Sequence, residues 1–232
     1  MKRKILSGAI LLTISAIAFS QAVSDRNVIP VAVNLNQVLR MNITNGGNIE
    51  FTFNTIDAYK AGLSGDAATS GSANDAASEG IYQTDFTVAS STRWNITYGA
   101  EMATFIGTDN PANTLALDNV GFTIVNNGVH VFETGGAQGT TATEELWSTP
   151  TDAATEVAAL EAYPVVLIED NNSATQANAG DITDNSFSLV WRCGTTEAGA
   201  IVPMNAQYLI DQSPSPTPDR YVVNVIFELG VD

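Results

Sequence analysis

Apolar and polar residues alternate with a period of two over much of the chain, the signature of strands with one buried face. In residues 48–54, Ile49, Phe51 and Phe53 fall on one side and Glu50 and Thr52 on the other. The pattern recurs at 92–98 with Trp94, Ile96 and Tyr98, at 186–192 with Phe187, Leu189 and Trp191, and at 223–229 with Val223, Val225, Phe227 and Leu229. Residues 28–35, 38–44, 81–89, 103–107, 120–125, 129–133, 164–169 and 207–210 have the composition of further strands. Asn45-Gly46-Gly47 and Asn126-Asn127-Gly128 place residues tolerant of positive φ between two such runs, which predicts a tight hairpin turn at each.

One stretch has a different rhythm. Residues 148–162 open with Ser148, Thr149 and Pro150 and continue in good helix formers to Tyr163-Pro164, predicting one helix of about three turns. Residues 61–80 and 171–184 are small and polar and predict long surface loops. Pro214, Pro216 and Pro218, at alternate positions, make 213–219 a stiff, Pro-rich connector. The pattern as a whole predicts an all-β chain: an antiparallel β-sandwich, Ig-like or jelly-roll-like, with one short helix and long surface loops. The expected sandwich domain spans 23–212, and the strand at 220–232 either belongs to it or is donated to a neighbour.

Residues 1–22 read as a secretory signal. Lys2, Arg3 and Lys4 form a basic start, 5–19 an apolar stretch, and Ser20 and Ala22 the small residues that favour cleavage after Ala22. That stretch is shorter than the roughly 20 apolar residues that span a bilayer, so the expectation is a secreted chain with no membrane span after cleavage. Charge sharpens the picture. The 232 residues carry 25 Asp and Glu against 9 Lys and Arg, and loss of the three leader cations leaves six, a net of −19. So few cations cannot neutralise a run of phosphates, which argues against nucleic acid or an anionic bilayer as partner. One cysteine allows no disulfide framework, but roughly 210 residues can bury a core without one.

The chain carries few residues of the kind that catalysis needs. No G-x-S-x-G, Walker, H-E-x-x-H or C-x-x-C pattern occurs. The lone His130 is out of phase with Val129 and Val131, which predicts a surface or rim position, and Cys193 reads as a small, semi-buried residue beside a strand. The expectation is therefore no enzyme, with no catalytic, cofactor-binding or metal-binding residue. Asp109-Asn110, Asp118-Asn119, Asp170-Asn171-Asn172 and 181–185 offer the oxygen ligands calcium takes, but none follows the D-x-[DN]-x-[DN]-G order, and turn-forming Asx residues explain them. Trp94 and Trp191 are in phase with the core, which leaves Trp147 as the exposed ring for a second reading: a secreted glycan- or peptide-binding β-sandwich module stabilised by calcium. Lys60, the one lysine left after cleavage, stands at a strand end before a Gly-rich loop and reads as solvated.

With its leader, its acidic Thr-, Asn- and Ala-rich composition, its few lysines and its flanking terminal strands, the chain resembles bacterial fimbrial and pilin-like surface subunits. It has neither an L-P-x-T-G signal nor a cysteine pair. The resemblance implies a structural subunit of an extracellular filament or cell-surface layer. Its partners are copies of itself, joined by strand exchange in which one subunit's terminal segment completes the sheet of the next. Two segments could donate: Val28, Val31, Val33 and Leu35 near the mature N-terminus, or Val223, Val225, Phe227 and Leu229 beyond the connector. Pro30 removes one ladder donor from the first. The plain alternative is that both are ordinary strands of their own domain.

Overall fold

Trp94, Ile96 and Tyr98 are wholly inaccessible to solvent in the computed structural model, as their shared phase predicts. The structure describes residues 29–65, 81–132, 157–170, 178–197 and 202–231, in two units, Met1–Leu35 and Asn36–Asp232. In the first unit, residues 29–35 form neither helix nor strand and are exposed.

The second unit is an antiparallel β-sandwich. Its strands are β1 (Leu39–Asn45), β2 (Leu63–Ser64), β3 (Gln83–Ser90), β4 (Trp94–Ala100), β5 (Thr104–Gly107), β6 (Thr114–Ala116), β7 (Val120–Asn126), β8 (Ala158–Ala159), β9 (Val165–Ile168), β10 (Gly180–Cys193), β11 (Tyr221–Val222) and β12 (Val225–Val231). A six-stranded sheet runs β1-β3-β10-β7-β8 with β2 also on β10; a second sheet runs β12-β4-β9, and a small third one β11-β5-β6. The chain passes from the first sheet to the second at 91–93, between β3 and β4.

Aromatic contacts mark the seam between the two main sheets. Tyr98 of β4 meets Phe122 of β7 edge-on at 5.2 Å between ring centroids, Trp94 meets Phe187 of β10 at 6.2 Å, and Phe227 of β12 meets Phe86 of β3 at 6.2 Å. Rings in such tilted and edge-to-face pairs add to what burial alone contributes. Strand β10 lies at the centre of its sheet. Phe187, Leu189 and Trp191 face the seam, while Val190 and Arg192 on its other face are buried too. A second small cluster of Val157, Ala159 and Met204 packs behind the sheet. Met204 lies so close over Gly121 that a Cβ there would come within 2.8 Å of the sulfur.

Besides 28–35 and 129–133, whose described residues carry no strand, four expected elements differ, each for a local reason. Residues 48–54 keep their alternation of half-buried and exposed positions but form no ladder. Gly46, at φ 64°, sits so tightly on the backbone of Gln83 that a Cβ would approach its carbonyl oxygen to 1.8 Å. Strand β1 therefore pairs with β3 and the chain leaves the sheet; Phe51 packs on Tyr82 at 4.4 Å and Phe53 on Tyr59 at 5.3 Å instead. At Asn126-Asn127-Gly128 there is a turn but no hairpin. The Asn126 side chain closes it, donating to the His130 carbonyl at 2.6 Å and accepting from the Gly128 amide at 3.1 Å. Beyond it the Val129 amide donates to the Asp184 carbonyl at 2.8 Å, so 129–132 follow the β10 side rather than folding back on β7.

The expected helix at 148–162 is the third difference. Residues 148–156 lie outside the described set, and Val157, Ala158, Ala159 and Leu160 are not helical. All four are buried, between β7 and the Met204 cluster; a helix would turn part of such a run outward, whereas a strand held between two layers buries both faces. The one α-helix among the described residues, α1 (Ile56–Ala61), lies elsewhere, started by the Thr55 hydroxyl accepting the Ala58 amide at 3.1 Å. Fourth, 207–210 carry no strand but a short 3-10 turn at Leu209–Asp211, with only Leu209 buried. The loop expected at 171–184 also ends early, since β10 begins at Gly180 with an irregularity before Asn185. Among the described residues no helix is long and apolar enough to cross a membrane.

Candidate assembly surface

The two candidate reactive side chains, His130 and Cys193, are buried inside the fold. His130 is buried, not on the surface: its ring lies 4.6 Å from Phe132, 5.4 Å from Phe187 and 5.7 Å from Trp94. Burial lowers its pKa to about 4, only partly opposed by the Asp170 carboxylate. His130 does alternate with Val129 and Val131, but it shares its row with Phe132, and that row faces the core while the valines face outward. Cys193 ends β10 fully buried, and burial pushes its thiol up to about 12, far from a reactive thiolate.

The Asx-rich segments serve as structural ties. Asp219 accepts from the amides of Asp109 at 3.0 Å and Asn110 at 3.1 Å and from the Asn113 side chain at 2.9 Å, fastening the loop between β5 and β6 to the start of β11. Asp181 accepts from the Thr183 amide at 2.7 Å, an Asx turn. Buried Asp170 pairs with Arg93 and accepts from the Asn178 amide at 3.0 Å. Asn171, Asn172 and Trp147 lie outside the described residues. Among the described residues no group of three His, Cys, Asp or Glu side chains is placed to hold a metal ion. Lys60 is exposed in the last turn of α1.

What stands out is apolar surface at the sandwich edges. Among the described residues, β1 is an edge strand of the large sheet and β12 an edge strand of the second. On β1, Met41 lies opposite Val88, and Ile43 opposite Phe86, so all four face the seam. Val88 and Phe86 are buried, yet Met41 is only half-buried and Ile43 is 46% exposed. The same asymmetry holds on β12, where Val225, Phe227 and Leu229 lie opposite Ala100, Tyr98 and Ile96. The β4 residues are inaccessible; those of β12 are half-buried. Met41, Ile43, Thr84, Phe86 and Phe227 line a shallow depression on this flank.

The outer face of the β1 edge is polar and well tied. Asp85 accepts from Gln83 at 2.6 Å, from the Ser188 hydroxyl at 2.6 Å and from Asn45 at 3.2 Å. Burial of this carboxyl opposes its charge, but the three donors outweigh it and hold the group below its ordinary value. Strand β1 is thus anchored in position while its seam-facing row stays partly open.

The two predicted donor segments differ in state. Val225, Phe227 and Leu229 belong to β12, which pairs with β4 at every residue from Val225 to Val231; Val223 packs on the same core between β11 and β12. In the first unit, Ile29, Val31, Val33 and Leu35 are 81%, 83%, 74% and 90% exposed. Val28 lies outside the described residues. Alternation in sequence could not separate these cases, because a core strand and a donated one show the same pattern. No protein-family model matches the chain, and no curated protein does either.

Proposed function

We propose that this protein is the structural subunit of an extracellular filament or cell-surface layer of the bacterial pilin-like kind, and that its N-terminal segment is the strand it exchanges. The observation that carries the reading is the exposed row Ile29, Val31, Val33 and Leu35. Four alternate apolar side chains in water are costly to leave uncovered, at about 1.5–3 kcal/mol each when fully buried. A strand added to another subunit's sheet covers one such row and satisfies the main chain at the same time. The segment has no ionisable side chain, so its insertion buries no charge. Pro30 sits second in it, where a single missing donor removes one ladder bond at the end of the strand.

The C-terminal segment fits this role less well, since withdrawing β12 uncovers Tyr98 and Ile96 of its own core. Head-to-tail exchange of an N-terminal strand does not close on itself and generates open filaments. The test is negative-stain microscopy of the purified protein beside a variant lacking residues 29–35. The reading expects unbranched polymers of one repeating subunit from the first and folded monomers from the second. Polymers of normal length from the shortened chain, or no assembly by the intact one at any concentration tried, defeat it.

A further inference from the structure

We infer that Asn45 is a site of spontaneous deamidation, which converts the end of β1 from a neutral amide to a carboxylate standing opposite Asp85. The reaction is intramolecular and consumes only water, so the site stands whether or not the chain polymerises.

Asparagine followed by glycine is the pair in which this chemistry meets least hindrance, because glycine has no Cβ to keep its nitrogen from the preceding side chain. The chain has two such pairs, Asn45-Gly46 and Asn127-Gly128, and both asparagines are exposed. The dipeptide alone does not separate them. The step begins when the glycine amide loses its proton. Its nitrogen attacks the asparagine Cγ, a C–N bond forms, and the bond from Cγ to Nδ2 breaks, so that the side-chain nitrogen leaves as ammonia with a proton in place of the one removed. The five-membered imide then takes up one water at either carbonyl and opens to aspartate or isoaspartate. Ammonia is exchanged for water, and nothing is oxidised or reduced.

Hydrogen bonding separates the two pairs. The Gly128 amide donates to the Asn126 side chain at 3.1 Å, so the proton that must leave is held. The Asn127 side chain donates to the Ser188 hydroxyl at 2.8 Å, and its backbone amide to the Ser186 carbonyl at 2.8 Å. Ring closure at Asn127 has to break such bonds first. At Gly46 the bond falls on the other side of the residue. Its carbonyl accepts from the Thr84 hydroxyl at 2.7 Å, while among the described residues its amide donates to none. Asn45 is the last residue of β1, past the irregularity in register that follows Ile43. Its side chain donates to Asp85 at 3.2 Å, the long end of the hydrogen-bond range.

The product changes the sheet. Asn45 and Asp85 are direct partners across β1 and β3. Deamidation takes from Asp85 one of its three side-chain donors, leaving Gln83 and Ser188. It also sets a second negative charge across the ladder, and like charges directly opposite on neighbouring strands are destabilising. Isoaspartate adds one carbon to the backbone as well, which shifts the register at the last paired residue. Either product loosens the end of β1.

The test holds the full-length purified protein at mildly alkaline pH and maps its peptides by mass spectrometry, resolving asparagine, aspartate and isoaspartate at each site. Conversion at Asn45 is expected to run about tenfold or more faster than at Asn127, equivalent to about 1.4 kcal/mol or more in the barrier. In concentrated urea the two rates should converge, because the bonds that protect Gly128 are gone. Equal rates in the folded protein, or faster conversion at Asn127, overturn the proposal. So does a difference that persists undiminished in urea, which places its cause in the flanking residues, or an Asn45 that stays intact for the time in which the unfolded chain converts. The effect on β1 is read by comparing Asn45→Asp with Asn45→Ala, which loses the same donor and gains no charge. Asn45→Asp is expected to have the lower thermal midpoint, by a margin that narrows as salt is raised. Equal midpoints at low salt overturn the assigned effect on the strand.

Discussion

His130 is the one imidazole in the protein, and its surroundings bear on how acid acts on the fold. Unfolded, it takes up a proton near its ordinary pKa of 6.5; folded, among Trp94, Phe132 and Phe187, it does so only near 4. The unfolded state therefore binds the extra proton across that interval. The stabilisation from keeping this ring neutral is complete above 6.5 and is lost as pH falls toward 4. For a depression of this size, the loss between pH 7.5 and 4.5 is about 2.5 kcal/mol. His130→Phe removes the titration but keeps an apolar ring in the site. Urea unfolding at the two pH values should then show the wild type losing about 2 to 3 kcal/mol more than the variant. Parallel losses in the two proteins mean that the acid sensitivity arises in carboxylates such as Asp85 and not here.

Among the elements, the entry into β4 depends on a single amide. The Asn178 side chain accepts from the Trp94 amide at 3.1 Å and donates to the Trp94 carbonyl at 2.6 Å, and its own carbonyl accepts from the Trp94 indole at 2.7 Å and from Asn185 at 3.0 Å. Trp94 and Asn178 are both buried. Asn178→Ala strands a backbone donor and acceptor away from water, which should cost about 2 to 4 kcal/mol in urea unfolding with an unchanged slope. A loss below about 0.5 kcal/mol, the scale of an ordinary surface change, means the network is dispensable. No sequence pattern points to Asn178. It sits in a small polar stretch that reads as loop, and its partner is a tryptophan 84 positions away.

The same contrast governs which elements were legible. Strands β1, β3, β4, β7, β9, β10 and β12 could be read from their apolar residues and, in most of them, a period of two, even though β7 and β10 are buried on both faces. At 48–54 the imprint is present and the ladder absent, because ring contacts to Tyr82 and Tyr59 bury a row without any strand beside it. At 157–160 the imprint is lost, because both faces are covered and helix propensity was the remaining local signal. At His130 the alternation was read but its inward row was reversed, because Phe132 and His130 together, not the two valines, meet the core. The candidate surface was half visible: the apolar row 29–35 is local and stands in the sequence, whereas the apolar flank of β1, β3 and β12 exists only once the sheets are stacked.

For the whole molecule, charge decides how assembly responds to solution conditions. Among the described residues, Arg93, Arg192 and Arg220 are paired with Asp170, Glu197 and Glu50, and the sequence holds 25 carboxylates against nine cations, six of them outside residues 1–22. Under the strand-exchange proposal, subunits that join through the uncharged segment 29–35 gain nothing from opposite charges there and approach against the repulsion of an acidic excess, 25 carboxylates against six cations once residues 1–22 are removed. At about 0.01 M ionic strength that repulsion reaches about 30 Å, the scale of a whole subunit; near 0.15 M it falls to about 8 Å. Polymer growth followed by light scattering should therefore accelerate about tenfold or more between those salt concentrations and then level off, since the apolar contact itself is little affected by salt. Magnesium and sodium chloride at equal ionic strength should act alike if screening is the whole effect. Growth that slows as salt rises indicates a contact held by opposite charges, which the neutral row from Ile29 to Leu35 cannot supply.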